Sequence, residues 1–248
     1  MRPMAYSGQM RFLGVDLGWY GKPSGVAALA WSRGALRICS LDRLSGMDAI
    51  LRWVEQEAGT EDAVAAVDAP LVIANETGSR PVDRQMTSAY GRFHAGCHAA
   101  NRRRPFAALT SGFAAELERR GFRHAPLLRP RQPGRYQIEV HPHAATIELF
   151  RLDRIVKYKK GPFAARAKEL ARLRALMLER LPRLDPPLAA LGLPELPEQG
   201  LAALKAVEDR LDAVMAAYIG AWWWHRGAEG SRVFGSAAEG YVVVPAGS

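Results

Sequence analysis

Two aspartates end apolar segments of the chain, and their placement is the clearest sign of chemistry in the sequence. Asp16 closes the segment FLGVD and Asp68 closes the segment AVAAVD. A charged side chain at the end of a buried strand must be solvated, paired or bound to a metal. Because hard divalent cations such as Mg²⁺ prefer oxygen ligands, these two acids predict a metal site where the two strands end.

Three further acids are candidates for the same site. Glu139 alternates with apolar neighbours in the predicted strand 136–141, and Asp209 and Asp212 share one face of the predicted helix 201–224. Two divalent ions held by such acids can activate a water molecule and stabilise the leaving oxygen in phosphodiester hydrolysis. We therefore predict a two-metal carboxylate site that uses Mg²⁺ or Mn²⁺. The predicted catalytic residues are Asp16, Asp68, Glu139 and Asp212, and the predicted metal ligands are Asp16, Asp68, Asp209 and Asp212.

The elements around these acids predict an α/β fold. Three apolar segments near the N-terminus are separated by short turns, which is typical of antiparallel hairpins. Later strands alternate with helices, which favours parallel pairing and helices on both faces of a mixed sheet. Sites in such sheets form where the carboxyl ends of neighbouring strands meet. The predicted strands are 12–16, 25–31, 35–41, 63–68, 136–141 and an edge strand at 241–245, and the predicted helices are 46–57, 111–120, 144–150, 163–181 and 201–224.

A strongly basic segment lies between the fourth and fifth predicted strands. Positions 80–135 hold twelve arginines and three acidic residues, and the whole chain has a net charge of +9. Such a charge attracts polyanions, although a solvated basic surface would have the same composition. We predict a single domain at 11–245 with a basic helical insertion at about 78–135 and a flexible N-terminus at 1–10. The predicted substrate contacts are Lys157, Lys159, Arg80, Arg84, His94, His98, Arg102 and Arg103.

Other features narrow the class of protein. The apolar run 211–224 contains an acid and is shorter than the ~20 residues of a membrane span, so we expect a cytoplasmic protein. His94, Cys97 and His98 offer three ligands where structural zinc takes four, which favours a substrate loop over a zinc site. The three consecutive tryptophans 222–224 are interpreted as helix packing rather than as a surface that stacks on bases.

Six short segments occur in the order found in one known family. They are GVDLG at 14–18, VDAPL at 67–71, EVHP at 139–142, KYK at 157–159, DRLD at 209–212 and EGYVVVP at 239–245. From about residue 12 to residue 245 the chain resembles the predicted RNase H-like nucleases of domain-of-unknown-function family 429. The resemblance implies an RNase H-like fold in which Asp16, Asp68 and the pair Asp209 and Asp212 carry the site. Ordinary RNase H begins its first helix with a glutamate, whereas this chain offers only Asp48 there.

The leading functional hypothesis is a metal-dependent nuclease that hydrolyses phosphodiester bonds of DNA or RNA. A nucleotide-binding or phosphotransfer protein of the actin-like ATPase type is an alternative, because Asp16, Gly18, Lys22 and Gly25 resemble a first phosphate loop. A non-catalytic adaptor that binds nucleic acid is a third. The expected partner is nucleic acid, and a homodimer is expected if the substrate is a two-fold symmetric junction.

Overall fold

A six-stranded mixed sheet forms the centre of the molecule. The computed structural model describes residues 9–189 and 191–247, so positions 1–8 of the predicted flexible N-terminus lie outside the described residues. The sheet has the order β3-β2-β1-β4-β6-β5, in which β2 runs antiparallel to β1 and β3 and the remaining pairs are parallel. The predicted mixed sheet is confirmed, and it is consistent with an RNase H-like fold. Its strands are β1 (Met10–Asp16), β2 (Ser24–Ser32), β3 (Ala35–Leu44), β4 (Asp62–Val67), β5 (Arg123–His124) and β6 (Arg135–Glu139).

Helices cover both faces of this sheet, as predicted. Alternate strand residues point to opposite faces, and each face has its own apolar cluster. Helices α1 and α3 pack on one face, and α4, α5 and α6 pack on the other. No helix among residues 9–189 and 191–247 combines the length and the apolarity needed to cross a membrane. The helices are α1 (Met47–Ala58), α2 (Pro81–Tyr90), α3 (Ala107–Arg119), α4 (Pro142–Phe150), α5 (Phe163–Arg180) and α6 (Leu201–Arg226).

Two glycines allow α6 to lie directly on the backbone of the sheet. A Cβ atom on Gly14 of β1 would lie 2.0 Å from the carbonyl oxygen of Ala213, and one on Gly25 of β2 would lie 1.9 Å from that of Asp209. Any side chain at either position would push the helix away. Close packing of α6 therefore explains the glycine at position 25 without the phosphate loop that the sequence suggested. The same close packing brings Asp209 and Asp212 to the edge of the sheet.

The chain between β4 and β6 is more ordered than the sequence predicts. The predicted insertion at about 78–135 contains α2, which was not predicted, and α3, which begins four residues before the predicted helix. It also supplies β5, so its last part belongs to the main sheet. β5 has two residues, too few to give a hydrophobic period. The predicted edge strand at 241–245 is β8 (Gly240–Pro245), which forms a separate hairpin with β7 (Ser231–Ser236).

Candidate active site at the carboxyl ends of the parallel strands

Asp16 and Asp68 lie next to each other at the carboxyl ends of two adjacent parallel strands. Val15 of β1 is in register with Val67 of β4, and the amide of Asp68 donates a hydrogen bond of 2.8 Å to the carbonyl of Val15. Neighbouring strands are about 4.8 Å apart, so this register makes the two acids neighbours. Both line a cavity of about 1050 Å³ that opens at this end of the sheet.

The next strand, β6, brings a histidine to the same edge. The amide of Val140 donates to the carbonyl of Val67 at 2.9 Å, which continues the ladder to His141. Nδ1 of His141 lies 3.8 Å from Oδ1 of Asp68, and Nε2 lies 3.2 Å from the carbonyl oxygen of Ala95. Burial alone would raise the pKa of Asp68, but the contact with His141 and the charge of Lys159 outweigh it and lower the pKa. Asp68 is therefore ionised at neutral pH.

Asp212 of α6 lies further from the cavity than Asp16 and Asp68. Its side chain is buried, and it is not among the described residues that line the cavity. The phenol of Tyr158 donates a hydrogen bond of 2.6 Å to Oδ1, and the ammonium nitrogen of Lys159 lies 3.0 Å from Oδ2. Lys159 itself lines the cavity, so its ammonium separates Asp212 from the cavity space.

The three carboxylates repel one another around the ammonium of Lys159. Burial and the negative charges of Asp212 and Asp68 raise the pKa of Asp16 well above its usual value, although Lys159 opposes the shift. Burial would lower the pKa of Lys159, but Asp212, Tyr158 and Asp16 raise it well above its usual value. Because the pKa of Asp16 is raised in this surrounding, the cluster favours uptake of a proton or of a further cation.

A second histidine in the cavity wall is uncharged. Burial, together with Lys159 and His141, lowers the pKa of His143 to about 3. Its ring centroid lies 5.5 Å from that of Tyr158. His143 therefore presents a neutral imidazole beside the acids at physiological pH.

Asp209, which was predicted to bind metal, forms ion pairs with two basic side chains. Its Oδ2 lies 2.7 Å from Nε of Arg43, and its Oδ1 lies 2.5 Å from Nζ of Lys205. Asp209 contributes to the cavity wall, but both of its oxygens are paired. The structure therefore gives Asp209 an ion-pairing position that joins the end of β3 to α6, and it does not favour the metal-ligand prediction.

Glu139 and Arg80, predicted as a catalytic acid and a phosphate contact, bind each other. Nη2 and Nη1 of Arg80 lie 2.7 and 2.8 Å from Oε1 and Oε2 of Glu139, and the amide of Leu71 donates to Oε2 at 3.0 Å. Arg80 is 2% exposed and also binds Asp83. A buried guanidinium with these partners holds the segment between β4 and α2 in place. The predicted catalytic and phosphate-binding roles are therefore not favoured.

The donor types of the acid cluster fit a hard divalent cation, but they are not arranged as a finished ligand set. Among the described residues, no three His, Cys, Asp or Glu side chains are placed to hold a metal, which applies to the acids and to His94, Cys97 and His98. Oδ2 of Asp212 is buried, and its partner is the ammonium of Lys159 at 3.0 Å. Carboxylate oxygens from three acids close together are the donors that Mg²⁺ or Mn²⁺ requires.

Comparison with known proteins supports the resemblance that these segments indicated. A family model described as "Protein of unknown function (DUF429)" matches residues 14–238. The chain belongs to this family. The match includes Asp16, Asp68, Lys159 and Asp212, so the whole acid cluster lies within the DUF429 region. No curated protein and no solved structure gave a significant match to this DUF429 chain.

The predicted substrate contacts of this DUF429 protein divide into two groups. Lys157, Lys159, His94, His98 and the buried Arg80 line the cavity. The exposed arginines 84, 102 and 103 are not among the described residues that line it. Arg84 donates to the carbonyl of Ser79, and Arg102 pairs with Glu76.

Sequence reasoning missed several residues of the site. Arg43 and Lys205 hold Asp209, Tyr158 binds Asp212, and Trp19 lines the cavity. The four-residue spacing of Lys205 and Asp209 on a predicted helix was a readable signal. Arg43 gave no comparable signal, because its partner lies 166 positions away in the sequence.

Proposed function

We propose that this protein is a metal-dependent nuclease that hydrolyses phosphodiester bonds of DNA or RNA. The observation that carries the proposal is that Asp16 and Asp68, at the ends of two strands, line the cavity while Asp212 of α6 lies behind Lys159 close to them. Carboxylates from distant segments are the protein's contribution to a site for hard divalent cations. The net charge of +9 supports a polyanionic substrate.

Each residue of the cluster has a part in this proposal. Asp16 and Asp68 would hold Mg²⁺ or Mn²⁺, and Asp212 would join them once the ammonium of Lys159 leaves its carboxylate. A cation bound there activates water and neutralises charge that develops on the phosphate. Lys159, freed from Asp212, would remain in the cavity wall as a cation for the phosphate. His141 would keep Asp68 ionised and oriented.

The number of metal ions that the site can hold depends on how many carboxylates are available to bind them. The two-metal prediction included Asp209, whose oxygens are paired with Arg43 and Lys205. Three carboxylates and an adjacent ammonium then remain for the metal. Under this proposal the stoichiometry of binding reports whether two ions are held or whether Lys159 takes the place of one.

Calorimetric titration with Mn²⁺ tests the proposal, followed by cleavage assays on labelled single-stranded, duplex and branched DNA and RNA. We expect the wild type to bind Mn²⁺ and to cleave one of these substrates, and Asp16→Asn and Asp68→Asn to lose both properties. Asp153→Asn is the matched control, because Asp153 is exposed and is not among the described residues that line the cavity. This variant should behave as the wild type does.

Two results would contradict the proposal. If millimolar Mn²⁺ and Mg²⁺ do not bind, the metal-dependent mechanism fails. If nucleic acid binds but no substrate is cleaved in the presence of bound metal, the non-catalytic adaptor becomes the better description.

A further inference from the structure

A tight turn fixes Trp19 at the cavity, three residues after Asp16. The amide of Gly18 donates a hydrogen bond of 2.9 Å to Oγ of Ser24, which closes the base of the turn. Tyr20 has a φ of 60°, in the left-handed region that costs a non-glycine residue roughly 1 kcal/mol. Such backbone persists only where the surrounding structure determines it, and the turn places Trp19 in the wall of the cavity that Asp16 also lines.

An aromatic support lies beneath the indole. The ring of Phe106 is buried, and its centroid is 4.2 Å from that of Trp19 with an interplanar angle of 32°. His98 is exposed and meets the indole edge-on, with centroids 6.5 Å apart. All three side chains line the same cavity as Asp16. Phe106 packs against the indole, and Trp19 remains partly exposed in the cavity wall.

The other tryptophans lie elsewhere. The tryptophans 222–224, which the sequence analysis interpreted as helix packing, are buried in α6. Of the six tryptophans of the chain, all within the described residues, Trp19 is the one that lines the cavity. A stacking function therefore belongs to Trp19 and not to the three consecutive tryptophans.

Exposed lysines line the same cavity as these aromatic rings. Lys22, Lys157 and Lys160 line the cavity, and none of them forms an ion pair with a carboxylate of the described residues. Lys205 and Lys159, by contrast, are paired with acids of α6. Aromatic rings flanked by unpaired cations are the arrangement with which proteins bind single-stranded nucleic acid. The rings stack on bases and the cations contact the backbone phosphates.

We propose that Trp19, supported by Phe106, stacks on an unpaired nucleobase next to the acid cluster, so that the substrate is a single strand or a locally opened one. Bases of an intact duplex are stacked on each other and would have to leave the helix to reach the indole. This inference rests on the proposed nuclease function, because it places the base beside the carboxylates that would act on its phosphate.

Anisotropy of a fluorescein-labelled 12-nucleotide DNA strand tests the inference. The measurements use the full chain with Asp16→Asn to prevent cleavage, alone and combined with Trp19→Ala or Trp19→Phe. We expect Trp19→Ala to weaken binding about tenfold, in line with the loss of one base–aromatic stack, and Trp19→Phe to retain most of the affinity. Tyr20→Ala is the matched control, since Tyr20 is exposed and not among the described residues of the cavity wall.

A strand whose nucleotides are abasic separates stacking from a structural effect. The affinity of the abasic strand for the Asp16→Asn protein should equal its affinity for the Asp16→Asn/Trp19→Ala protein, because this strand has no base to stack. If Trp19→Ala weakens intact and abasic strands equally, or if duplex binds as tightly as single strand, the inference is overturned. Should Trp19→Ala fail to fold in thermal melts, equal affinity of Asp16→Asn for intact and abasic strands overturns it instead.

The two proposals fail separately. If binding depends on Trp19 but the wild type cleaves no substrate, the base-stacking site is supported and the nuclease proposal fails. If the wild type cleaves a substrate but binding does not depend on Trp19, the nuclease proposal is supported and the base-stacking site fails.

Discussion

The ammonium nitrogen of Lys159 lies 3.0 Å from Oδ2 of Asp212 and separates this carboxylate from the cavity. Asp16 and Asp68 also attract this ammonium, which raises the pKa of Lys159. The protein thus supplies a tethered positive charge to its own acid cluster. A divalent cation bound by the same acids has to compete with that charge.

Lys159→Met removes the competing charge and should tighten Mn²⁺ binding. Unit charges 4 Å apart interact by ~4 kcal/mol at an effective dielectric constant of 20, but Lys159 is partly exposed and solvent screens its charge, so we expect a gain of at least about tenfold. Calorimetric titration measures the affinity, and Lys160→Met is the control because the neighbouring lysine is exposed. An affinity equal to that of the wild type would show that Lys159 does not compete with the metal.

Arg80→Met should destabilise the protein strongly. The substitution leaves Glu139 and Asp83 buried without their common partner, and removal of one member of a buried ion pair costs roughly 3–5 kcal/mol. Arg84→Met, one helical turn further along α2 at an exposed position, should change the free energy of unfolding by less than about 0.5 kcal/mol. Urea denaturation followed by circular dichroism compares the two variants. Similar midpoints would mean that the buried ion pairs of Arg80 with Glu139 and Asp83 contribute little to the free energy of unfolding.

Much of the fold could be predicted because burial imposes a period on the sequence. The apolar segments that end at Asp16 and Asp68 became β1 and β4, and the long helices began and ended within two residues of their predicted bounds. The strand β5 escaped prediction because two residues carry no period. The helix α2 was hidden in a polar, arginine-rich segment that had been interpreted as substrate contacts.

The site was predictable only in part, because partners that are distant in the sequence decide what each charge does. The strand-end position of Asp16 and Asp68 follows from local pattern and parallel register. Whether Arg80 faces solvent or Glu139 depends on a contact between residues 59 positions apart. Nothing in the local sequence distinguishes an arginine that binds phosphate from one that is buried against a carboxylate.

Gly25→Ala should destabilise the protein and weaken the acid cluster. The added methyl group would lie 1.9 Å from the carbonyl oxygen of Asp209, so α6 has to move away from β2 at the level of the site. Forced overpacking typically costs about 1–3 kcal/mol. We expect a lower midpoint of thermal unfolding together with weaker Mn²⁺ binding.

Gly112→Ala is the matched control for this substitution. Gly112 lies in α3, and a Cβ there meets no atom within 4 Å. Alanine is favoured over glycine in a helix by roughly 1 kcal/mol, so this variant should be at least as stable as the wild type. If both variants melt like the wild type, close contact between α6 and the sheet is not what positions the site.

His143 should make the stability of the protein depend on pH below 7. Burial, with Lys159 and His141, lowers the pKa of His143 to about 3, while Asp68 opposes this shift only weakly. The unfolded chain takes up a proton near the ordinary histidine pKa of 6.5, and the folded protein does not take it up until about pH 3. Stability is therefore fully present above pH 6.5 and falls as the pH decreases through this window.

His143→Gln removes this proton linkage and keeps a polar side chain in the cavity wall. Between pH 7 and pH 4 the variant should lose less free energy of unfolding than the wild type, by up to roughly 3 kcal/mol. Chemical denaturation at several pH values measures the difference, and the other titrating groups are common to both proteins. Stability curves that stay parallel across this range would mean that His143 is protonated as readily in the folded protein as in the unfolded chain.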